Sequence, residues 1–241
     1  MGVYHELGLR PIINASGAVT RLGGAPMPAA VLEAFVAAAG DWIPLDELQA
    51  GASRVIAEVT GAEAGLVTSG AAAALTLGAA AILTGQDLGR MDRLPDCSGF
   101  PHEFVVAREQ RNGYDHAVRA AGARLVEVGF NEVVANAGVR RTETWEYEAA
   151  FTADTAGVLY VHAPDSRPPL REVVEAAHRR GLPVLVDAAG ELPPRRHLRS
   201  LFETGADLVA FSGGKAIGGP QGSGILAGKR DLIMAAVLQH L

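Results

Sequence analysis

The chain is poor in four things, and each shortage closes off a class of function. Cys97 is its only cysteine. A disulfide framework or a thiolate metal cluster within one chain is therefore excluded. In "RLPDCSGFPHEF" that thiol has no cationic neighbour to activate it and reads as inert. Aromatic residues make up only 5% of the sequence, and basic residues are in deficit, with a formal net charge of −6. That balance provides no general attraction to nucleic acid or to an anionic membrane. The pairs Arg140–Arg141, Arg179–Arg180 and Arg195–Arg196 are too scattered for a binding stripe and read as solvated helix ends and loops. The longest apolar run, "AAAALTLGAAAIL", is too short and too glycine-interrupted to cross a bilayer. "MGVYHELGLR" lacks the apolar core of a signal peptide. The expectation is a cytoplasmic protein with no membrane partner.

What is present is alanine, glycine and β-branched residues, within an apolar share of 49% over 241 residues. This suits helices packed closely on a buried sheet, in one large α/β domain or two small ones. Residues from Met1 to Gly24 read as an irregular arm. Helical patterns follow at Pro28–Ala39 and Leu45–Thr60, the second with Leu48, Val55, Ile56 and Val59 as its apolar stripe. The chain then alternates. Strands are expected at "GLVTS", "EFVVARE", "RLVEV", "GVLYVH", "LPVLVDAAG" and "ADLVAFS". Helices are expected at Gly70–Leu83, Asp115–Ala121, Thr144–Ala150, Pro168–Arg180 and His197–Gly205. Arg90–Pro101 reads as a long loop. The rhythm predicts a largely parallel sheet with helices on both faces. "SGILAG" follows "DLVAFS" too closely for a crossover helix and should return antiparallel beside it.

The most unusual stretch is "ADLVAFSGGKAIGGPQGSGILAG", where Lys215 lies in a bed of glycines. It is not a Walker-type phosphate loop, because Ala216 stands where Ser or Thr is required and Val209 where the first glycine is required. It is not a dinucleotide fingerprint either, since Gly222 and Gly224 lead into a strand. A lysine that forms a Schiff base remains. Such an amine must be partly neutral, and the aldehyde cofactor that makes it useful is pyridoxal 5′-phosphate.

That cofactor requires a carboxylate for its ring nitrogen, a helix N-terminus for its phosphate, and groups against its two faces. Asp187 ends "LPVLVD", at the strand edge where open α/β sheets bind ligands, and is the candidate for the ring nitrogen. Ser69, Gly70 and Ala71 begin the helix after "GLVT" and are candidates for the phosphate; Ser212 offers a further hydroxyl. Ala189 is a candidate for one ring face, and Tyr114 or His116 for the other. Arg21 is a candidate for holding an anionic substrate.

"INASGAVT", "TGAEAGLVTSGAAAALTLG", "AGARLVEVG" and "DLVAFSGGKAIGGPQGSGIL" together resemble selenocysteine synthase, the L-seryl-tRNA selenium transferase, and its shorter relatives. Among these the chain looks like the D-glucosaminate-6-phosphate ammonia-lyase group. The resemblance implies a three-layer αβα large domain with a mostly parallel sheet, of the aspartate-aminotransferase type (fold type I). The arm would occupy residues 1–26 and the pyridoxal-phosphate-binding large domain residues 27–241. A small C-terminal domain would follow "DLIMAAVLQHL" in the family, and the resemblance implies that this chain lacks it. Lys215 is implied as the lysine that holds the cofactor, Asp187 as the ring-nitrogen partner, and Ser69–Gly70–Ala71 as the phosphate turn. Gly218 to Gln221 match the segment after the lysine. A homo-oligomer is implied.

The expected reaction is that of a pyridoxal-phosphate-dependent lyase. An amino acid or amino-sugar acid would lose its α-proton, then its β-hydroxyl as water, and then ammonia. One alternative is selenium transfer to seryl-tRNA, which the acidic charge and the absence of the family's N-terminal tRNA-handling segment make a poor match. The other is an inactive truncated relative acting as a binding subunit.

Overall fold

The computed structural model describes residues 3–129 and 141–239, so Arg140, Met1 and Gly2 lie outside the described residues. Seven strands form one sheet: β1 (Ala64–Thr68), β2 (Glu103–Ala107), β3 (Arg124–Val128), β4 (Thr155–Val161), β5 (Val184–Asp187), β6 (Leu208–Ser212) and β7 (Gly224–Gly228). Their order across the sheet is β1-β7-β6-β5-β4-β2-β3. The β3-β2-β4-β5-β6 ladder is parallel throughout. β7 runs antiparallel to both β6 and β1, as the short link after Lys215 requires. β1 therefore points the same way as β6, and six strands deliver their C-terminal ends to one edge.

The helices in chain order are α1 (Val3–Glu6), α2 (Ala29–Ala38), α3 (Leu45–Thr60), α4 (Ala71–Thr84), α5 (Leu88–Arg93), α6 (His116–Ala120), α7 (Thr144–Ala150), α8 (Leu170–His178), α9 (His197–Ser200) and α10 (Arg230–Leu238). The central strands carry apolar side chains on both faces, so the sheet is buried from both sides. One core joins α4, α6 and α10 to Phe104, Leu159, Leu185, Leu208 and Leu226. The other joins α7 and α8 to Val105, Val158, Tyr160, Val186, Val209 and Phe211. Each burial moves an apolar side chain worth roughly 1.5–3 kcal/mol out of water. α4, almost wholly alanine, leucine and glycine, lies flat on the sheet. A Cβ at Gly78 would come within 2.9 Å of Leu185.

Several expectations change. The stretch read as a loop at Arg90–Pro101 begins inside α5, because the Asp87 carboxylate caps the N–H groups of Gly89 and Arg90 at 2.9 and 3.1 Å. Arg90 and Arg93 then cover the Phe100 ring at 5.1 and 5.6 Å. The helix expected at His197–Gly205 is α9 followed by a 3₁₀ turn, Phe202–Thr204. The arm carries α1 and a 3₁₀ turn at Thr20–Leu22. α10 had no assignment. In the apolar stripe of α3 only Ile56 is buried; Leu48 and Val55 stay 56% and 59% exposed. α3 lies against the sheet edge at β1, so one side of its stripe meets protein and the other does not. No helix among the described residues is long and apolar enough to cross a membrane.

Candidate active site

The common C-terminal edge of the strands holds a cavity of about 360 Å³. Ser69, Gly70, Ala71, Tyr114, Asp187, Ala189, Ser212 and Lys215 all line it. Asp187 is the last residue of β5, 7% exposed, and its Oδ1 accepts the Ala189 N–H at 3.0 Å. Burial raises its carboxyl above the ordinary range, with the Ala189 N–H and the Lys215 charge opposing and Glu191 reinforcing the shift.

The chain has two lysines. Lys229 is held by Asp207 at 2.6 Å beyond the opposite edge of the sheet. Lys215 is the one at the cavity, and among the described residues no acceptor lies within hydrogen-bond distance of its amine. The glycines around it serve close approach. A Cβ on Gly213 would lie 2.3 Å from the Ser223 hydroxyl, and one on Gly214 would lie 2.5 Å from Gln221 Cα. The loop can fold back this tightly only without side chains there. Gly213 N–H to Ser223 O at 2.9 Å and Gly219 N–H to Gly213 O at 2.8 Å close it. The arm reaches the same loop. Ala25 donates to Gly214 O at 2.9 Å, and Gly24, at φ +74°, has no room for a Cβ against that carbonyl.

On the third side, Gly70, at φ 99°, precedes the first residue of α4 and offers no side-chain cap. The first N–H groups of the helix, at Ala71 and Ala72, therefore face the cavity as a ready anion site. Thr68 Oγ1 donates to Gly70 O at 2.9 Å and holds the turn. Tyr114 sits in a 3₁₀ turn capped by Asn112, whose side chain accepts the Tyr114 N–H at 2.7 Å. Of the two aromatic candidates, Tyr114 or His116, only Tyr114 is among the lining residues. His116 opens α6, faces solvent and does not line the cavity, because two residues further round a helical turn its side chain diverges from that of Tyr114.

Four polar residues at the cavity were not anticipated: Thr20, Asn112, His162 and Gln221. His162 carried a readable signal, since it follows "GVLYV" at a strand end just as Asp187 ends "LPVLVD". Its backbone N–H donates to Asp187 O at 2.9 Å.

A mostly parallel sheet of this order, helices on both faces and a lysine-carboxylate cavity at the strand ends define the fold type I class of pyridoxal-phosphate enzymes. A pyridoxal-5′-phosphate dependent protein from Escherichia coli shares the fold, with a TM-score of 0.54 at 19% identity over 77% of this chain and 45% of its own. The family model described as SelA, L-seryl-tRNA selenium transferase, matches residues 115–240, more than half of the chain. The chain belongs to this family. It is 33% identical to the D-glucosaminate-6-phosphate ammonia lyase of Salmonella typhimurium, over 99% of this chain and 63% of that protein. The solved structure of a D-glucosaminate-6-phosphate ammonia-lyase superposes with a TM-score of 0.89 at 33% identity, covering 100% of this chain and 64% of its own. A 5′-C-glycyluridine monooxygenase-decarboxylase from Streptomyces sp is 35% identical over 98% of this chain and 59% of its own length. The chain thus spans less than two thirds of these relatives.

Proposed function

We propose that this chain carries the cofactor site of a pyridoxal-phosphate-dependent lyase that eliminates water and then ammonia from an amino acid or amino-sugar acid. One observation carries the reading: an unpartnered lysine, a buried carboxylate and an uncapped helix N-terminus face a single cavity. That donor set fits the cofactor. Asp187 would hold the proton on the ring nitrogen, the Ser69–Gly70–Ala71 turn would bind the phosphate with Ser212 beside it, and Ala189 and Tyr114 would flank the ring. Bound there, pyridoxal phosphate supplies an electron-poor ring that stabilises negative charge at the substrate α-carbon. Lys215 would hold the cofactor, and its amine would serve as the base that takes the α-proton. The β-hydroxyl leaves with a proton as water, and the dehydrated product hydrolyses to ammonia and a keto acid. The arm at Thr20, which lines the cavity, would meet the anionic end of the substrate; Arg21, the candidate from the sequence, faces solvent and is not among the lining residues.

The test mixes the purified chain with pyridoxal phosphate. A visible absorption band, trapped by borohydride and absent in Lys215→Ala, is expected; its absence in the wild type would leave an inactive binding subunit as the better account. Ammonia release from phosphorylated and plain 2-amino-3-hydroxy acids, independent of dioxygen, then tests the reaction class. Selenium transfer to seryl-tRNA remains the second reading, favoured by the family model and opposed by the net charge of −6.

A homo-oligomer and a cytoplasmic setting belong to the same proposal. Ile13 and Trp42 are each 99% exposed, and α2 buries none of its residues. A second copy of the chain covering this apolar surface explains both. Light scattering of the purified chain should give a multiple of 25.0 kDa.

A further inference from the structure

Next to Asp187, the structure holds a second buried carboxylate that the reaction above does not use. Glu191 is 8% exposed. Its Oε2 lies 2.9 Å from His162 Nδ1. With the carboxylate oxygen as the acceptor of this bond, Nδ1 is its donor. The main chain of Glu191 is pinned in turn. Its N–H donates to Ala188 O at 3.2 Å, and its carbonyl accepts from His197 Nδ1 at 2.8 Å. The rings of Tyr160 and His197 bracket the His162 ring at centroid distances of 6.3 and 6.2 Å. With the Nδ1 edge committed, Nε2 has no partner among the described residues, and His162 lines the cavity.

The sheet order decides what this nitrogen would meet, given the cofactor reading proposed above. From one side to the other the order is β1-β7-β6-β5-β4. The phosphate turn follows β1, Lys215 follows β6, Asp187 ends β5 and His162 follows β4. In pyridoxal phosphate, the phosphate arm and the 3-oxygen flank the aldehyde carbon on opposite sides. A ring whose phosphate lies at α4 therefore turns its 3-oxygen toward β4.

We propose that Glu191 is a positioning residue that fixes the His162 ring, so that Nε2 makes the polar contact with the 3-oxygen of the bound pyridoxal ring. The carboxylate sets the tautomer and orientation of the imidazole, as carboxylates do behind metal-bound histidines.

The experiment pairs histidine ¹⁵N NMR of the cofactor-free chain with titration of its visible band by pyridoxal phosphate. His162 should appear protonated at Nδ1. Glu191→Ala and His162→Ala should each raise the cofactor dissociation constant about tenfold, the value of one good hydrogen bond, and the double variant should be no worse. Glu191→Gln, whose amide oxygen still accepts from Nδ1, should retain most of the affinity. An unchanged affinity in Glu191→Ala or His162→Ala, additive losses, or a wild-type His162 protonated only at Nε2 would overturn the proposal while leaving the cofactor reading standing. A wild type without any visible band would overturn both. Should Glu191→Ala not fold, His162→Ala and the wild-type tautomer decide the matter alone.

Discussion

Gly70 and Gly224 meet backbone to backbone: a Cβ on Gly224 would lie 2.3 Å from the carbonyl carbon of Gly70 and 2.6 Å from the nitrogen of Ala71. The start of β7, which returns from the Lys215 loop, is thereby interlocked with the uncapped N-terminus of α4. Gly224→Ala has no flexible side chain to push aside and must move one of the two main chains. It should cost about 1–3 kcal/mol of stability and weaken pyridoxal-phosphate binding. Thermal unfolding and titration of the visible band check both effects, and an intact affinity would detach the α4 turn from the phosphate.

Asp187 should show a trade between stability and binding. Burial first of all raises its carboxyl, with Ala189 and Lys215 only partly opposing this. The folded chain then holds this proton to higher pH than the unfolded chain does. Its contribution is complete below the unfolded value near 3.8 and is lost as pH rises through the folded one. Asp187→Asn should therefore melt higher than the wild type at neutral pH without cofactor, and should lose the visible band. Melting curves with and without pyridoxal phosphate decide it; a variant that is less stable and still binds would contradict the site.

Asp207 provides the opposite case. It is 1% exposed and accepts from Val184 N–H at 2.7 Å, His178 Nε2 at 2.9 Å and Lys229 at 2.6 Å. This ties β5, α8 and the start of α10 together at the edge away from the cavity. Asp207→Ala should cost about 1–3 kcal/mol, since its removal strands the buried Val184 N–H, while His178 and Lys229 remain half-exposed. Cofactor affinity below the melting transition should stay unchanged. The hydrogen bond to Asp207 chiefly raises the Lys229 amine. The stability it adds is complete below the unfolded value near 10.5 and fades as pH rises through the folded one.

Asp115 holds the turn that carries Tyr114. Burial pushes its carboxyl up, but the hydrogen bond and charge of Arg111, with those of Arg119, outweigh burial and leave it below the ordinary range. Its stabilisation is complete above the unfolded value near 3.8 and disappears as pH falls through the folded one. Asp115→Asn should lose about 1–3 kcal/mol at neutral pH and show a shallower acid transition by circular dichroism. Tyr114, no longer held against the cavity, should also give weaker cofactor binding in the same titration.

The fold was legible in the sequence wherever the signal was local. Leu45–Thr60, Arg124–Val128 and Thr144–Ala150 form the expected elements, because periodicity and caps act within one or two turns. α5 escaped notice because its cap, Asp87, stands among charged and turn-forming residues that also suit a loop. His116 and Tyr114 could not be separated, since neither spacing nor residue type says which of two nearby aromatic side chains faces inward.

The chain's own order of residues determined that Lys215 and Asp187 stand at strand ends. It also determined that a glycine precedes α4, and that β7 must return beside β6, since a short glycine link leaves no length for a crossover. Tertiary structure alone decided that β1 lies beside β7, that the arm at Gly24 touches Gly214, and that His162 meets Glu191. The first set follows from short-range stereochemistry. The second depends on which distant backbones can approach without a Cβ between them, and on which buried polar groups must find each other once water is gone.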